Sequence, residues 1–159
     1  MPPVQKPGRS RQDYGTPDTL LVAVKHRLCI DAFTIDLAAD AGNAVAGDYF
    51  DEKENALEQA WPFHGWNWLN PPFADISPWV KKAKEEAESG ASTVVLVPAS
   101  VGANWFATWV EPYAYQSYLN PRLTFKGETT PYPKDCMLLF YTPWGFTGHE
   151  IWHWKARIG

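Results

Sequence analysis

Short apolar runs alternate along the chain with segments that are apolar on one side only. The runs at 33–40, 66–69 and 92–100 are each closed by turn residues or proline, which predicts buried strands. The segments at 16–28 and 77–90 repeat apolar residues at helical spacing, which predicts amphipathic helices. This alternation predicts an α/β fold with a mostly parallel sheet and helices on both faces.

Helix starts and shorter elements complete the predicted order. Thr16 precedes Pro17 and Ser77 precedes Pro78, so in each pair we expect the hydroxyl to cap a helix and the proline to open its first turn. Further elements are predicted as short helices at 51–61 and 103–111, strands at 112–125 and 136–144, and a terminal segment at 148–158 whose pattern fits either a strand or a helix.

The carboxyl ends of the three buried strands predict where a ligand binds. In open α/β sheets ligands lie outside the carboxyl ends of the parallel strands. This rule places residues 36–43, 70–73 and 98–104 along one rim of the sheet.

Length and charge narrow the class of protein. The 159 residues suit a single domain at 14–159, after a flexible, basic, proline-rich tail at 1–13. The formal net charge of −4 excludes binding to nucleic acid through bulk positive charge, so such a partner requires a local pocket or patch. Two cysteines, no leader and no apolar run of spanning length favour a cytoplasmic protein without membrane contact.

The tetrapeptide Asn70-Pro71-Pro72-Phe73 directly follows a predicted strand. Neither proline can donate to a sheet ladder, and both have a fixed φ, so the turn is stiff. The Asn70 side chain and a proline carbonyl are hydrogen-bond acceptors, and Phe73 offers a flat apolar face. The group fits a planar ligand with an exocyclic NH₂, although a rigid strand-to-helix turn of purely structural purpose uses the same residues.

Such a socket has a chemical use. The amino nitrogen of adenine is a poor nucleophile because its lone pair is delocalised into the ring. Two acceptors that hold this nitrogen tetrahedral leave the lone pair free to attack a methyl group on a sulfonium, without a strong base beforehand. A base in a duplex reaches the socket only by leaving the stack.

Five motifs occur in a recognisable order: DYGTPDTLL, FTIDLAADAGNA, YFDEKENALEQAW, WLNPPFADISPWVKKA and TVVLVPASVGANWF. In this order, over about residues 13–141, the chain resembles the small Dam-like DNA adenine-N6 methyltransferases of phages and prophages. The resemblance implies a Rossmann-like class I methyltransferase fold, S-adenosyl-L-methionine as cofactor and DNA as partner. It also implies methyl transfer to adenine N6 by a phage- or prophage-encoded enzyme in the bacterial cytoplasm.

The resemblance also implies residue roles. Asn70, Pro71, Pro72 and Phe73 match the catalytic tetrapeptide, in which the first residue and the first proline carbonyl bind the amino group while the ring stacks on the base. Roles in cofactor binding are implied for Tyr14, Thr16, Pro17, Asp36, Ala38, Asp40 and Asn55. Among these, Asp36 matches the acid that meets the amino group of the cofactor's methionine part.

Two departures concern the cofactor site. The glycine-rich turn usual after the first strand reads DLAADAGN here, with Gly42 as its single glycine. The acid that would bind the ribose hydroxyls remains open among Asp48, Asp51 and Glu54.

A third departure concerns target recognition. No separate recognition domain is evident in 159 residues, so specificity is either slight or rests on the loop LNPRLTFKGETTPYPKD at 119–135. Arg122 and Lys126 in this loop are candidate DNA-phosphate contacts, or merely exposed cations.

Other functions remain open at this level. The same tetrapeptide class suits cytosine N4 and glutamine side-chain amides, since both present a planar NH₂. The aromatic content of 15% and the glycine-poor turn also fit a catalytically inactive nucleic-acid-binding module. The negative net charge and the small size of the chain leave open that it forms a homodimer or binds another subunit.

The sequence His149-Glu150-Ile151-Trp152-His153 matches the zinc-peptidase pattern. On a helix the two histidines would share a face, with the glutamate beside a bound water. No third ligand follows in the last six residues, and the alternation around it suits a strand. We therefore expect no metal.

Overall fold

The computed structural model describes residues 15–156, which form an α/β fold around a five-stranded sheet. Its α-helices and strands are α1 (Asp18–Leu28), β1 (Asn67–Leu69), α2 (Ser77–Glu88), β2 (Thr93–Pro98), β3 (Tyr115–Asn120), β4 (Cys136–Tyr141) and β5 (Gly148–His153). The short helices predicted at 51–61 and 103–111 are a 3-10 helix at Ala56–Glu58 and a π-helix at Phe106–Val110. The predicted α/β class is confirmed, whereas the predicted tail at 1–13 lies outside the described residues.

The sheet is mixed, with strand order β1-β2-β4-β3-β5. β4 runs antiparallel to both of its neighbours, whereas β1, β2, β3 and β5 all point the same way. Four of the five strands therefore point the same way, as expected for a mostly parallel sheet. The expectation is wrong at β4, whose two pairings are both antiparallel. β3 and β4 are neighbours in the chain and are joined by a loop without a helix, a connection typical of antiparallel pairs.

The predicted strand at 33–40 is an extended segment that extends the sheet beyond β1. Asp36 forms parallel bridges with Tyr49 on one side and Trp68 of β1 on the other. The Leu37 N–H donates to the Trp68 carbonyl at 2.9 Å, and the Trp68 N–H donates to the Ile35 carbonyl at 2.9 Å. This segment therefore lies between two neighbours, although it is too short to form a regular ladder.

Alternating side chains of the central strands face the two helices. Leu96 of β2 packs in one buried cluster with Leu20 of α1, and the preceding Val95 packs in the other with Val80 of α2. Burial of each such side chain contributes about 1.5–3 kcal/mol. The prediction of helices on both faces is confirmed.

The helix starts differ from the predicted caps. Neither α1 nor α2 has a side-chain cap: Pro17 precedes α1, and its carbonyl accepts from the N–H groups of Leu20 and Leu21 at 3.1 and 3.2 Å. The prediction that Thr16 caps α1 is therefore wrong, and its hydroxyl is directed elsewhere. Within the described residues, no helix is long and apolar enough to cross a membrane.

The zinc-peptidase pattern lies on β5, where a helix would be needed to bring its members together. In a strand His149 and His153 share one face, and Glu150 points to the other. Glu150 instead accepts hydrogen bonds from Arg27 of α1 and, at 2.6 Å, from Ser117 of β3. Across residues 15–156 no group of three or more His, Cys, Asp or Glu side chains could hold a metal.

Glu150 is therefore expected to stabilise the fold. Burial raises the pKa of its carboxyl, but the hydrogen bonds from Ser117 and Arg27 outweigh burial and the pKa is lowered overall. Glu150→Gln should reduce the free energy of unfolding by about 1 kcal/mol, because one charge-assisted contact to Arg27 is lost. Urea denaturation at pH 7.5 measures this, with His149→Gln on the opposite face as the control. Equal effects of the two changes would contradict the assignment.

Candidate active site

Asp36 and Asn70 meet at the carboxyl end of two neighbouring segments. Asp36 lies in the extended segment 33–39, and Asn70 directly follows β1, to which that segment is hydrogen-bonded. Both residues are buried, and together with Thr16 they line one small depression. The predicted rim is therefore found for 36–43 and 70–73, while Tyr14 lies outside the described residues.

The Asp36 carboxylate is buried but hydrogen-bonded. Its oxygens accept from the backbone N–H groups of Ala38 at 3.2 Å and Val45 at 3.0 Å. Burial raises the pKa of the Asp36 carboxyl to about 6, and the two amide bonds only partly oppose this. The site thus holds a carboxylate whose negative charge is incompletely compensated.

The loop that follows Asp36 explains the shortage of glycines. No residue from 37 to 46, all of which are described, has a positive φ, so no position there demands glycine. Side chains shape the turn instead: the Asp40 carboxylate accepts from the N–H groups of Gly42 at 2.8 Å and Asn43 at 3.1 Å. The Asn43 side-chain oxygen in turn accepts from the Asp40 N–H at 2.8 Å. Asp40 and Asn43 therefore shape the turn without a run of glycines.

A larger cavity of about 290 Å³ adjoins this depression, and Ala38 lines both. Its walls are Leu37, Ala38, Ala39, Asp40, Asp51, Glu52, Asn55, Pro72 and Trp79. The lining combines acids, a side-chain amide and an indole, which suits a ligand with hydroxyl donors and a flat ring. Four sequence-predicted residues, Ala38, Asp40, Asn55 and Pro72, are thereby brought together.

Among the three acids left open by the sequence, Asp51 lines the cavity and Asp48 and Glu54 do not. Asp51 and Glu54 exchange hydrogen bonds: the Glu54 N–H donates to Asp51 at 2.9 Å, and the Asp51 N–H donates to Glu54 at 3.1 Å. This reciprocal turn fixes the position of Asp51. Asn55 follows with φ +52°, and its side chain accepts from the Leu57 N–H at 3.2 Å.

Glu52 and Trp79 also line the cavity, and they belong neither to the predicted rim nor to the residues predicted for the site. Trp79 lies in the first turn of α2, one turn before Ala83, so it is at the edge of the buried stripe and packs partly against the core. Helical spacing alone therefore does not distinguish this cavity residue from an ordinary core residue. Glu52 is exposed and carries no distinguishing signal either.

The tetrapeptide is held more tightly than the sequence indicated. The Asn70 side-chain N–H donates to the Thr16 hydroxyl at 3.3 Å. Pro71 is buried, and Pro72 forms part of the larger cavity. Asn70 therefore lines the small depression, and Pro72 lines the larger cavity.

Phe73 is half-buried and lies in a group of three aromatic rings. It packs edge-to-face on Phe125 at 6.3 Å and on Tyr132 at 6.0 Å between ring centroids. Phe125 and Tyr132 also contact each other edge-to-face at 5.4 Å. Such pairs add about 0.5–1.5 kcal/mol beyond their burial, so this cluster fixes the plane of the Phe73 ring.

The two candidate DNA contacts are paired within the chain. Arg122 donates to the Asp135 carboxylate at 2.8 Å and to the Pro133 carbonyl at 3.2 Å. The Lys126 ammonium lies 2.9 Å from the Asp18 carboxylate. All these charges are exposed, so the pairs are weak and solvent-screened.

The fold and the rim together define an α/β protein with an acid-lined cavity at the carboxyl edge of its sheet. A family model described as DNA N-6-adenine-methyltransferase (Dam) matches residues 4–146. The chain belongs to this family, and the resemblance seen in its motifs is confirmed.

A phage relative gives a second comparison. The DNA N-6-adenine-methyltransferase of Escherichia phage T1 is 26% identical over 145 residues, covering 91% of this chain and 59% of the relative. The chain thus spans less than two thirds of that protein's length.

The buried Asp36 carboxyl predicts a specific pH dependence of stability. The pKa of this carboxyl rises on folding from 3.8 to about 6, so the folded state binds the proton more tightly than the unfolded state does. Proton binding therefore stabilises the fold at low pH, and this stabilisation is lost as the pH rises through 6. Relative to Asp36→Asn, the free energy of unfolding of the wild type should fall by about 2 kcal/mol when the pH is raised from 4.5 to 7.5. Urea denaturation at the two pH values measures it. A difference independent of pH would show that Asp36 has an ordinary pKa.

Proposed function

We propose that this chain transfers a methyl group from S-adenosyl-L-methionine to N6 of adenine in DNA. Membership of the Dam family supports the reaction and the nucleic-acid substrate. The observation that carries the proposal is the shared depression of Asp36 and Asn70, because it brings an acid for the cofactor and an acceptor for the target amine together.

The residues of the two spaces fit the proposed cofactor. When bound, S-adenosyl-L-methionine supplies an electrophilic methyl group. Asp36 would hold its amino group, since a nearby positive charge compensates the buried carboxylate. In the larger cavity Asp51 would accept from the ribose hydroxyls, and Asn55 and Trp79 would bind the adenine by its edge and its face.

The tetrapeptide would hold the target base. The Asn70 side-chain oxygen and the Pro71 carbonyl would accept the two N–H bonds of the flipped adenine's amino group and favour a tetrahedral nitrogen. The nitrogen can then attack, and the proton leaves after the new bond forms. Phe73, fixed by Phe125 and Tyr132, would lie against the base.

The sheet supports assignment to the class I methyltransferase fold. After segment 33–39 the chain first pairs with one side of that segment, at Tyr49, and then with its other side, at Trp68. The strand order therefore changes direction at Asp36, which makes this residue a topological switch point. Ligands of open α/β sheets bind outside the carboxyl ends of the strands at such a point. Helices on both faces and the single reversed strand β4 agree with a doubly wound sheet that is otherwise parallel.

Arg122 and Lys126 are proposed as secondary DNA contacts. Each would have to exchange its acid, Asp135 or Asp18, for a phosphate. Because those pairs are exposed and weak, the exchange costs little, and it would make DNA binding depend on salt.

Asn70→Ala tests the proposed chemistry. Methyl transfer from labelled cofactor to adenine-containing DNA should fall by about 100-fold or more, because one of the two amine acceptors is lost. Cofactor affinity, measured by calorimetry, should stay within about twofold. Asn104→Ala, which changes an exposed asparagine that lines neither space, is the matched control and should keep full activity.

Product analysis in the same assay separates the competing substrates. Nucleoside chromatography distinguishes N6-methyladenine from N4-methylcytosine, and a glutamine-containing peptide tests transfer to a side-chain amide. A wild-type protein that binds cofactor but labels none of the adenine would refute the proposal, and failure to bind cofactor would favour a catalytically inactive nucleic-acid-binding module.

Asp51→Asn tests the ribose contact. Replacing a charged acceptor by a neutral one should weaken cofactor binding by about 10-fold, read as Kd by calorimetry. Glu54→Gln alters the partner in the same reciprocal turn but lies outside the cavity, so its Kd should stay close to that of wild type. Equal losses in both variants would mean that the turn, rather than the Asp51 carboxylate, is responsible.

A further inference from the structure

The larger cavity is lined by acids and, among the described residues, by no base. Asp40, Asp51 and Glu52 are the acids in its wall. In the part of the chain that the structure describes, Asp40 and Asp51 form no ion pair with a cation. The Asp40 carboxylate keeps its negative charge although it accepts hydrogen bonds from the N–H groups of Gly42 and Asn43. The cavity therefore favours a ligand that carries positive charge.

The charge of Asp40 also acts on the neighbouring depression. Burial is the main reason why the pKa of the Asp36 carboxyl is raised to about 6, and the negative charge of Asp40 raises it further. Ala38 lies between the two acids in sequence and lines both the depression and the larger cavity. A positive centre beside Ala38 would therefore be attracted by both carboxylates and would offset their mutual repulsion.

The proposed cofactor would place a positive centre there. Its sulfur joins the methionine part, assigned to Asp36 in the depression, to the ribose, assigned to Asp51 in the larger cavity. The sulfonium would therefore lie where the two spaces adjoin, beside Ala38. In methyl transfer the S–CH₃ bond breaks and its electron pair stays on sulfur, while the adenine nitrogen gains the methyl group and loses a proton to solvent. The product of the cofactor is a neutral thioether, which has one positive charge less.

We propose that Asp40 is a specificity-determining residue whose charge makes the site bind the sulfonium cofactor more tightly than its thioether product, S-adenosyl-L-homocysteine. This inference rests on the proposed function and adds discrimination between cofactor and product to the cofactor contact implied by the family resemblance. Such a preference would limit inhibition by the product after each turnover.

The wild-type protein without DNA gives the first measurement. Calorimetry at low ionic strength should give a Kd for the cofactor about 10-fold lower than for the product, because two carboxylates act on the same positive charge. Asp40 is exposed, so salt screens its charge. The preference should therefore fall to about threefold or less in about 0.5 M NaCl.

Asp40→Asn tests the residue itself. Asparagine can keep the side-chain oxygen that accepts from Gly42 and Asn43, so the turn is retained while the charge is removed. At low ionic strength the Kd for the cofactor should rise about fivefold, whereas the Kd for the neutral product should stay within about twofold. Thermal unfolding checks that the variant is folded, and the salt dependence of the wild type tests the proposal without any variant.

Asp48→Asn is the matched control. Asp48 is also exposed but lines neither space, so this variant removes an equal charge and should leave both Kd values within about twofold of wild type. Sinefungin, in which a carbon bearing a protonated amine replaces the sulfonium, is a further probe. Its affinity should fall in Asp40→Asn as that of the cofactor does, because the positive charge rather than the methyl group is recognised.

The outcomes separate this inference from the proposed function. If the wild type binds neither cofactor nor product, the proposed function fails, and this inference fails with it. If the wild type methylates DNA but binds cofactor and product equally, only the discriminating role is refuted. Equal loss of both ligands in Asp40→Asn would also refute it, since Asp40 would then only shape the site. The same change of preference in Asp48→Asn would refute it as well, because net charge alone would be responsible.

Discussion

The hydrogen bonding of segment 33–39 to β1 is the constraint on which the site depends. The paired bonds of Trp68 with Ile35 and Leu37 set the register at 2.9 Å each. A slip of one residue would turn Asp36 to the opposite face of the sheet, away from the depression it shares with Asn70. Three residues of regular strand in β1 suffice because buried neighbours on both sides hold the register.

This register buries the Asp36 carboxylate, and its burial costs free energy. Two amide bonds hold the carboxylate and order the loop as far as Val45, but they do not offset burial, since the pKa is still raised to about 6. A third, positively charged partner would remove the imbalance. The fold therefore retains an acid that is poor for stability on its own and well suited to a cationic ligand, a combination typical of functional sites.

The hydrophobic pattern of the sequence predicted several of the elements that position the site. The strands β1 and β2, both helices, and the meeting of Asp36 with Asn70 follow from periodicity and from the rule for carboxyl ends of parallel strands. The contact between Thr16 and Asn70 did not follow, because the position of Thr16 before Pro17 suggests a helix cap, whereas its partner lies far along the chain. The Phe73 cluster likewise depends on a loop whose path no periodicity encodes.

The loop that joins β3 to β4 links the two ends of the site. Phe125 and Tyr132 contact the Phe73 ring, and the Lys126 backbone N–H donates to the carbonyl of Gly15, the residue before Thr16, which in turn contacts Asn70. Arg122 and Lys126 each pair with an acid of the chain itself, Asp135 and Asp18, and the formal net charge is −4. If the proposed function is right, these cations would add little phosphate attraction, and most of the affinity for DNA would have to come from the proposed capture of the flipped base.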